Sequence, residues 1–397
     1  MRDAEQAINS PGSAVWNLGF RPFFLGAGIF SVIGIFMWLL AYGGSKQVYP
    51  AGIPVSLWHA HEMLFGYAFA VVAGFLLTAV KNWTGLQTPH RGPLAVLFLL
   101  WIVARVANHL NMVPPGIGAI ADLSFNWLMA SVLLVPIIKA RQWKQTAIIG
   151  KLVLLAVLNM LFYLDVFGLL NHGAWWAVYG AFYTIIALIL MMTRRLIPFF
   201  VERGVGYPVM LRNSRFLDLA SLVLFLELMI SELFGVLAGP TLWVAAALFV
   251  IHFVRLVYWY TPGIWRRPLL WSLYLSYAML VVGFLLFALT SLLGIPKLLV
   301  LHTFAIGGIG IITVSMMSRV SLGHSGRNIH EPPLLVTAAL VLLVFATLTR
   351  VAGPLIDAAH YSRWVEVSGG MWILAFVAFS VAYAPILLQP RVDGRYG

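Results

Sequence analysis

The chain has 397 residues, of which 61% are hydrophobic and only 10% charged, with a mean hydropathy of +0.93. No soluble domain of this length needs so much apolar surface, so the lipid bilayer is the expected solvent, and the net charge of +12 has to be read through the membrane. The sequence holds no cysteine, which excludes disulfides, iron–sulfur clusters, thiolate-ligated haem, blue-copper sites and covalently attached c-type haem.

Residues 1–14 are polar and carry no cleavable-signal pattern. Twelve apolar stretches follow, each of about the 20 residues that a bilayer core requires. They are expected at about 19–43, 57–80, 93–110, 116–138, 147–170, 173–193, 216–237, 240–260, 269–293, 296–318, 333–353 and 365–389. The fold class is therefore all-α, a polytopic membrane protein forming a single integral-membrane domain over 1–397. If the N-terminus lies in the cytoplasm, only Lys46, Lys297, Arg350 and Arg363 of the 25 Lys and Arg fall in outer loops, and Arg105 and Arg255 fall within spans. This positive-inside pattern places both termini in the cytoplasm. The charge thus orients the chain and gives no reason to expect nucleic acid as a partner. The polar stretch Arg194 to Arg215 divides the spans into two six-helix halves, 1–200 and 216–397, around a cytoplasmic linker at 201–215. With an even number of spans in each half, a repeat would be parallel, although the halves share no obvious sequence similarity.

The second span opens on Trp58-His59-Ala60-His61-Glu62-Met63. Two histidines and a glutamate are costly to desolvate there, and such groups are kept for a metal, a haem or a proton. Topology puts His59, His61 and His302 in the outer half of the membrane. His252 lies about 18 Å below the outer end of span eight, and His324 would lie about 33 Å from His302 along a continuous helix, poorly placed for an outer site. Residues two apart point to nearly opposite faces, so His59 and His61 should meet different partners unless the first turn is unwound. By the same spacing His59 shares a side with Glu62, Gly66, Ala70 and Gly74, a stripe suited to close helix packing.

Two readings of this cluster compete. In one, one histidine binds a haem iron and the other a second metal or a hydrogen-bond partner, with Glu62 as proton relay. In the other, both histidines are simply hydrated at the interface. His252, Arg255 and Trp259 form one stripe of span eight, where Arg255 would hold a haem propionate or substrate anion, or else snorkel to the nearby surface. His109, at the outer end of span three, is a candidate to support a ligand from behind. His90, His172, His330 and His360 fall in loops.

Asn17-Leu-Gly-Phe-Arg-Pro-Phe-Phe24, Trp58-His-Ala-His-Glu-Met-Leu-Phe-Gly66, Ala73-Gly-Phe-Leu-Leu-Thr-Ala-Val80 and Asn82-Trp-Thr-Gly85 resemble the NnrS family. So do His252-x-x-Arg-Leu256, Pro268-Leu-Leu-Trp271, and His302 leading to Ser318-Arg-Val-Ser-Leu-Gly-His-Ser-Gly-Arg327. The resemblance covers nearly the whole chain. It implies a bacterial inner-membrane protein of about twelve helices that binds haem and copper and serves nitric oxide metabolism and protection against nitrosative stress. Carried over by position, His59, His61, His252, His302 and His324 match the family's histidines. Tyr274 stands where the family leads one to expect a histidine.

The leading expectation is a nitric oxide reductase-like oxidoreductase, with non-covalent haem b and a second metal, copper, in the outer half of the bundle. The metal candidates are His59, His61, His252, His302 and His324, with Arg255 as a cofactor contact and Glu62 as the catalytic proton donor. Nitric oxide would enter from the lipid, and a quinol or a redox protein would supply electrons. A non-catalytic haem or copper protein that binds nitric oxide is the first alternative. A secondary transporter, with no metal and a polar central cavity, is the second.

Overall fold

The computed structural model describes residues 14–44, 49, 53–109, 114–235 and 241–397. Among these residues there are twelve long helices and no strand. In chain order they are α1 (Phe20–Tyr42), α2 (Val55–Thr84), α3 (Arg91–His109), α4 (Pro115–Lys139), α5 (Thr146–Val166) and α6 (Gly173–Gly204). Then come α7 (Arg215–Phe234), α8 (Thr241–Tyr258), α9 (Pro268–Leu293), α10 (Lys297–His324), α11 (Leu334–Ile356) and α12 (Tyr361–Leu388). Every expected span is a helix, and the chain is a multi-pass membrane protein. Eleven of the twelve are long and apolar enough to cross a bilayer; α7 falls short because Asp218, Glu227 and Glu232 lie within it.

The helix boundaries follow from local chemistry. Proline precedes or opens α2, α4, α9, α10 and α11, where a missing N–H costs nothing. Gly85, Gly235 and Gly294 end α2, α7 and α9 in the left-handed conformation, with φ of 70°, 65° and 64°. Helix α6 runs past Arg194 and Arg195 to Gly204, because Ile197 and Val201 continue its buried face.

Two helices are not α-helical throughout. Glu62–Ala68 of α2 and Thr303–Gly310 of α10 are π-helical, and each π segment starts directly after a histidine, His61 or His302. Such wide turns are rare and frequently mark functional sites. They also shift every later residue relative to an α-helical wheel.

The chain forms two compact units, with the divisions falling inside α6, α10 and α12. The first comprises Met1–Ile185, Met317–Asn328 and Phe376–Gly397. In it α1 packs on α2, α3 on α4 and α4 on α5, around buried aromatics such as Phe20, Phe23, Phe24 and Phe125. Arg21, fully buried, donates to the carbonyls of Ile386, Leu387 and Gln389 at the end of α12. The second comprises Ile186–Met316 and Ile329–Ala375, in which α8 packs on α7 and α9, and α9 and α11 flank the π segment of α10.

Candidate functional site

Helices α2 to α5 of the first unit each place polar side chains on a buried face at helical spacing. Helix α2 contributes His61 and Glu62, and α3 contributes Arg105, Asn108 and His109. Asp122 and Asn126 come from α4, and Asn159 and Tyr163 from α5. All nine are buried, and Asp122, Asn126, Asn159 and His61 show no exposure at all.

The guanidinium of Arg105 is the hub. Its Nη1 lies 2.9 Å from Glu62 Oε2 and its Nη2 2.5 Å from Asp122 Oδ2, so one cation bridges two carboxylates. His61 Nδ1 is 3.0 Å from Glu62 Oε1, and its Nε2 is 2.9 Å from Asn159 Oδ1 and 3.7 Å from Asp122 Oδ2. Asn108 donates to Glu62 Oε1 at 3.2 Å and to the Tyr163 hydroxyl at 2.8 Å. Tyr163 in turn donates to Asp122 Oδ2 at 3.0 Å. Two carboxylates face one guanidinium, so the cluster is formally one negative charge in excess. Both ring nitrogens of His61 face oxygen atoms of this group. Phe162 stacks on the His61 ring with centroids 3.8 Å apart.

His59 points elsewhere, as the two-residue spacing requires. Its half-buried ring stacks on Trp38 of α1 at 4.2 Å. Glu62 turns with its neighbour His61 into the cluster, its carboxylate against His61 Nδ1 and Arg105 Nη1. Gly66 is needed at the level of the cluster, since a Cβ there would sit 2.5 Å from Phe30 Cε1 and 3.1 Å from Arg105 Cδ and Nη1.

The second unit holds a separate polar group around His252, which is fully buried. His252 Nδ1 lies 2.6 Å from the Tyr277 hydroxyl and Nε2 3.1 Å from Ser221 Oγ, with Phe284 stacked on the ring at 5.2 Å. Arg255 pairs with Asp218 of α7 at 3.0 Å, and Asp218 also meets Arg194 at 2.6 Å. Arg255 also lies over the Trp259 ring. Tyr274 donates to the Leu256 carbonyl. His302 lies half-buried near the start of α10, its Nδ1 2.7 Å from the Leu298 carbonyl, which fixes the proton on that nitrogen. His324 ends the same helix in the first unit, against Phe20 at 5.7 Å.

The structure therefore brings His61 and Glu62 together with Arg105 and Asp122, and keeps His59 on another face. No group of three or more His, Asp or Glu arranged to hold a bare metal ion occurs among the described residues. As haem ligands the histidines differ in fit. His302 is tethered through Nδ1 to the Leu298 carbonyl, and His59 stacks on Trp38. His61 and His252 have both nitrogens committed to protein groups and would have to surrender a buried hydrogen bond to bind iron. Sequence reasoning passed over Asp122, Asn108, Asn126, Asn159, Tyr163, Asp218, Ser221 and Tyr277. Their signal is weak but present: polar residues three or four apart in apolar helices, as in Asp122 and Asn126 or Asn159 and Tyr163.

Fold and site define a helical multi-pass membrane protein with a charged cluster sealed inside one helix group. The chain matches the family described as "NnrS protein" over residues 14–391, and it belongs to that family. Comparison with curated proteins gives no match. Family membership suggests a haem- and copper-containing membrane protein related to nitric oxide.

Proposed function

We propose that the chain, in a bacterial inner membrane with both termini in the cytoplasm, binds haem b in its outer half and reduces nitric oxide to nitrous oxide; copper, which the family suggests, has no group of three donors to hold it among the described residues. Two nitric oxide molecules, two electrons and two protons give one nitrous oxide and one water. A quinol or a redox protein is the electron source. Bound haem would supply the binding of nitric oxide and the transfer of electrons.

The observation that carries this reading is Glu62, a carboxylate buried at the head of a π segment and held from three sides by His61, Arg105 and Asn108. A buried carboxylate kept in hydrogen-bonded contact with an imidazole can take a proton from it and pass it on, out of reach of bulk water. His61 is placed to pass a proton to Glu62 Oε1 across 3.0 Å, and Asp122 fixes the far side of Arg105 so that the guanidinium does not swing away. Trp58 and Phe65, almost fully buried, exclude water from this end of α2. Of the other cofactor candidates, His302 is tethered to the Leu298 carbonyl, His59 stacks on Trp38, and Arg255 is held by Asp218 at the other polar group.

The experiment is to purify the full chain, record a reduced-minus-oxidised spectrum with metal analysis, and follow nitric oxide loss with a reductant. Sustained loss that falls by about 10² to 10⁴ in Glu62→Gln, with haem content unchanged, is the expected result, since that is the usual worth of a positioned proton donor. A haem-free, inactive preparation would overturn the reading. Stoichiometric binding of nitric oxide without turnover would move it to a binding protein.

A further inference from the structure

His109 is the last residue of α3 and lies 8% exposed. Its Nδ1 stands 2.7 Å from the Arg105 carbonyl, one helical turn back. A carbonyl only accepts, so the ring proton sits on Nδ1 and the lone pair on Nε2. That Nε2 is buried and has no hydrogen-bond partner. Two aromatic rings fix the imidazole, Phe30 edge-on at 5.6 Å and Trp58 at 5.2 Å. Glu62 Oε2 is 3.7 Å away, but on the Nδ1 side, and belongs to Arg105.

A rigid imidazole whose second nitrogen donates to a backbone carbonyl is the arrangement in which histidine ligates metals, because the tether fixes tautomer and ring orientation. A buried acceptor left unused is costly, so it calls for an occupant. The kind of metal follows from what is absent nearby. A bare zinc or copper ion needs three or four protein donors, and no such group exists among the described residues. A haem iron needs only one or two, because the macrocycle supplies the other four. An isolated histidine among aromatic walls matches the second case.

We propose that His109 Nε2 is an axial ligand to a haem iron. This rests on the reading above that the chain binds haem, and it assigns the iron in the first unit to His109, with His61 reserved for the Glu62 cluster.

The test uses the full chain purified in detergent from haem-supplemented cells, with the haem absorption band read per mole of folded protein. In His109→Gly the retained haem falls at least about tenfold, the loss that even supporting changes around a ligand can cause. Free imidazole added to that variant restores the band, because it refills the vacated ligand position. In His61→Gln the haem content stays at the wild-type level. Where His109→Gly does not yield folded protein, His109→Met replaces it: a thioether ligand keeps haem and shifts the band and the reduction potential upward. Folded His109 variants with wild-type haem and an unshifted band overturn the proposal. Loss of haem in His61→Gln with retention in the His109 variants overturns it as well. Wild-type protein without haem, by contrast, defeats the wider reading of the chain as a haem protein.

Discussion

Removal of Arg105 should be the most damaging single change in the first unit. Its guanidinium lies 2.9 Å from Glu62 and 2.5 Å from Asp122, and the three side chains are 4%, 2% and 0% exposed. Arg105→Leu leaves two carboxylates facing each other without a cation, and breaking a buried pair from one side costs about 3–5 kcal/mol. That corresponds to roughly two to three and a half powers of ten in the unfolding equilibrium. Arg105→Leu combined with Asp122→Asn removes the cation and one of its two anions together. The double variant should therefore be more stable than the sum of the single costs implies, with a coupling of about 1–3 kcal/mol, as for groups in one network. Arg105→Lys should rescue only in part, since a point charge cannot reach both carboxylates as the planar fork does. The measurement is reversible unfolding in mixed detergent micelles, run as a double-mutant cycle. Single costs below about 1 kcal/mol that simply add would show a hydrated cluster and refute this energetic account.

Other outcomes follow from neighbouring geometry. Asp218→Asn leaves Arg255, 5% exposed at its side chain, without its carboxylate and should destabilise by about 3 kcal/mol, whereas Arg194→Gln, at a side chain 41% exposed, should cost under about 1 kcal/mol in the same unfolding assay. Gly66→Ala forces a Cβ to within 2.5 Å of Phe30 and should cost about 1–3 kcal/mol, while Gly150→Ala, with nothing within 4 Å, should be neutral or slightly stabilising. Because the chain has no cysteine, single introduced cysteines report topology without background: Gly206→Cys should label only from the cytoplasm and His172→Cys only from outside, and the reverse pattern would overturn the positive-inside orientation.

The helices were legible because the signal is long and redundant: about 20 apolar residues, prolines at helix starts and glycines at helix ends all agree. The site was legible where polar residues are contiguous, as in His59 to Glu62. Asp122 and Asn159 were not, since each is a lone polar residue in a long apolar helix, and only the packing of α2, α4 and α5 brings them beside His61. Asp218 was missed for a related reason: Arg255 was judged within span eight, while its carboxylate lies on α7.

Adjacent helical residues diverge by about 100°, yet the long side chains of His61 and Glu62 reach the same group, His61 to Asn159 and Glu62 to Arg105. From Glu62 onward the helix is wound as a π segment. The wide turn and the buried charges each carry a cost. A well-packed apolar replacement for a buried ion network is often as stable or more stable. Stability therefore does not account for the ionisable side chains sealed inside the first unit. What the arrangement uniquely provides is a carboxylate and an imidazole in hydrogen-bonded contact, shielded from water, beside a second imidazole whose Nε2 has no partner. A proton held next to a ligand position is the property worth that cost, and it ties the role proposed for Glu62 to the one proposed for His109.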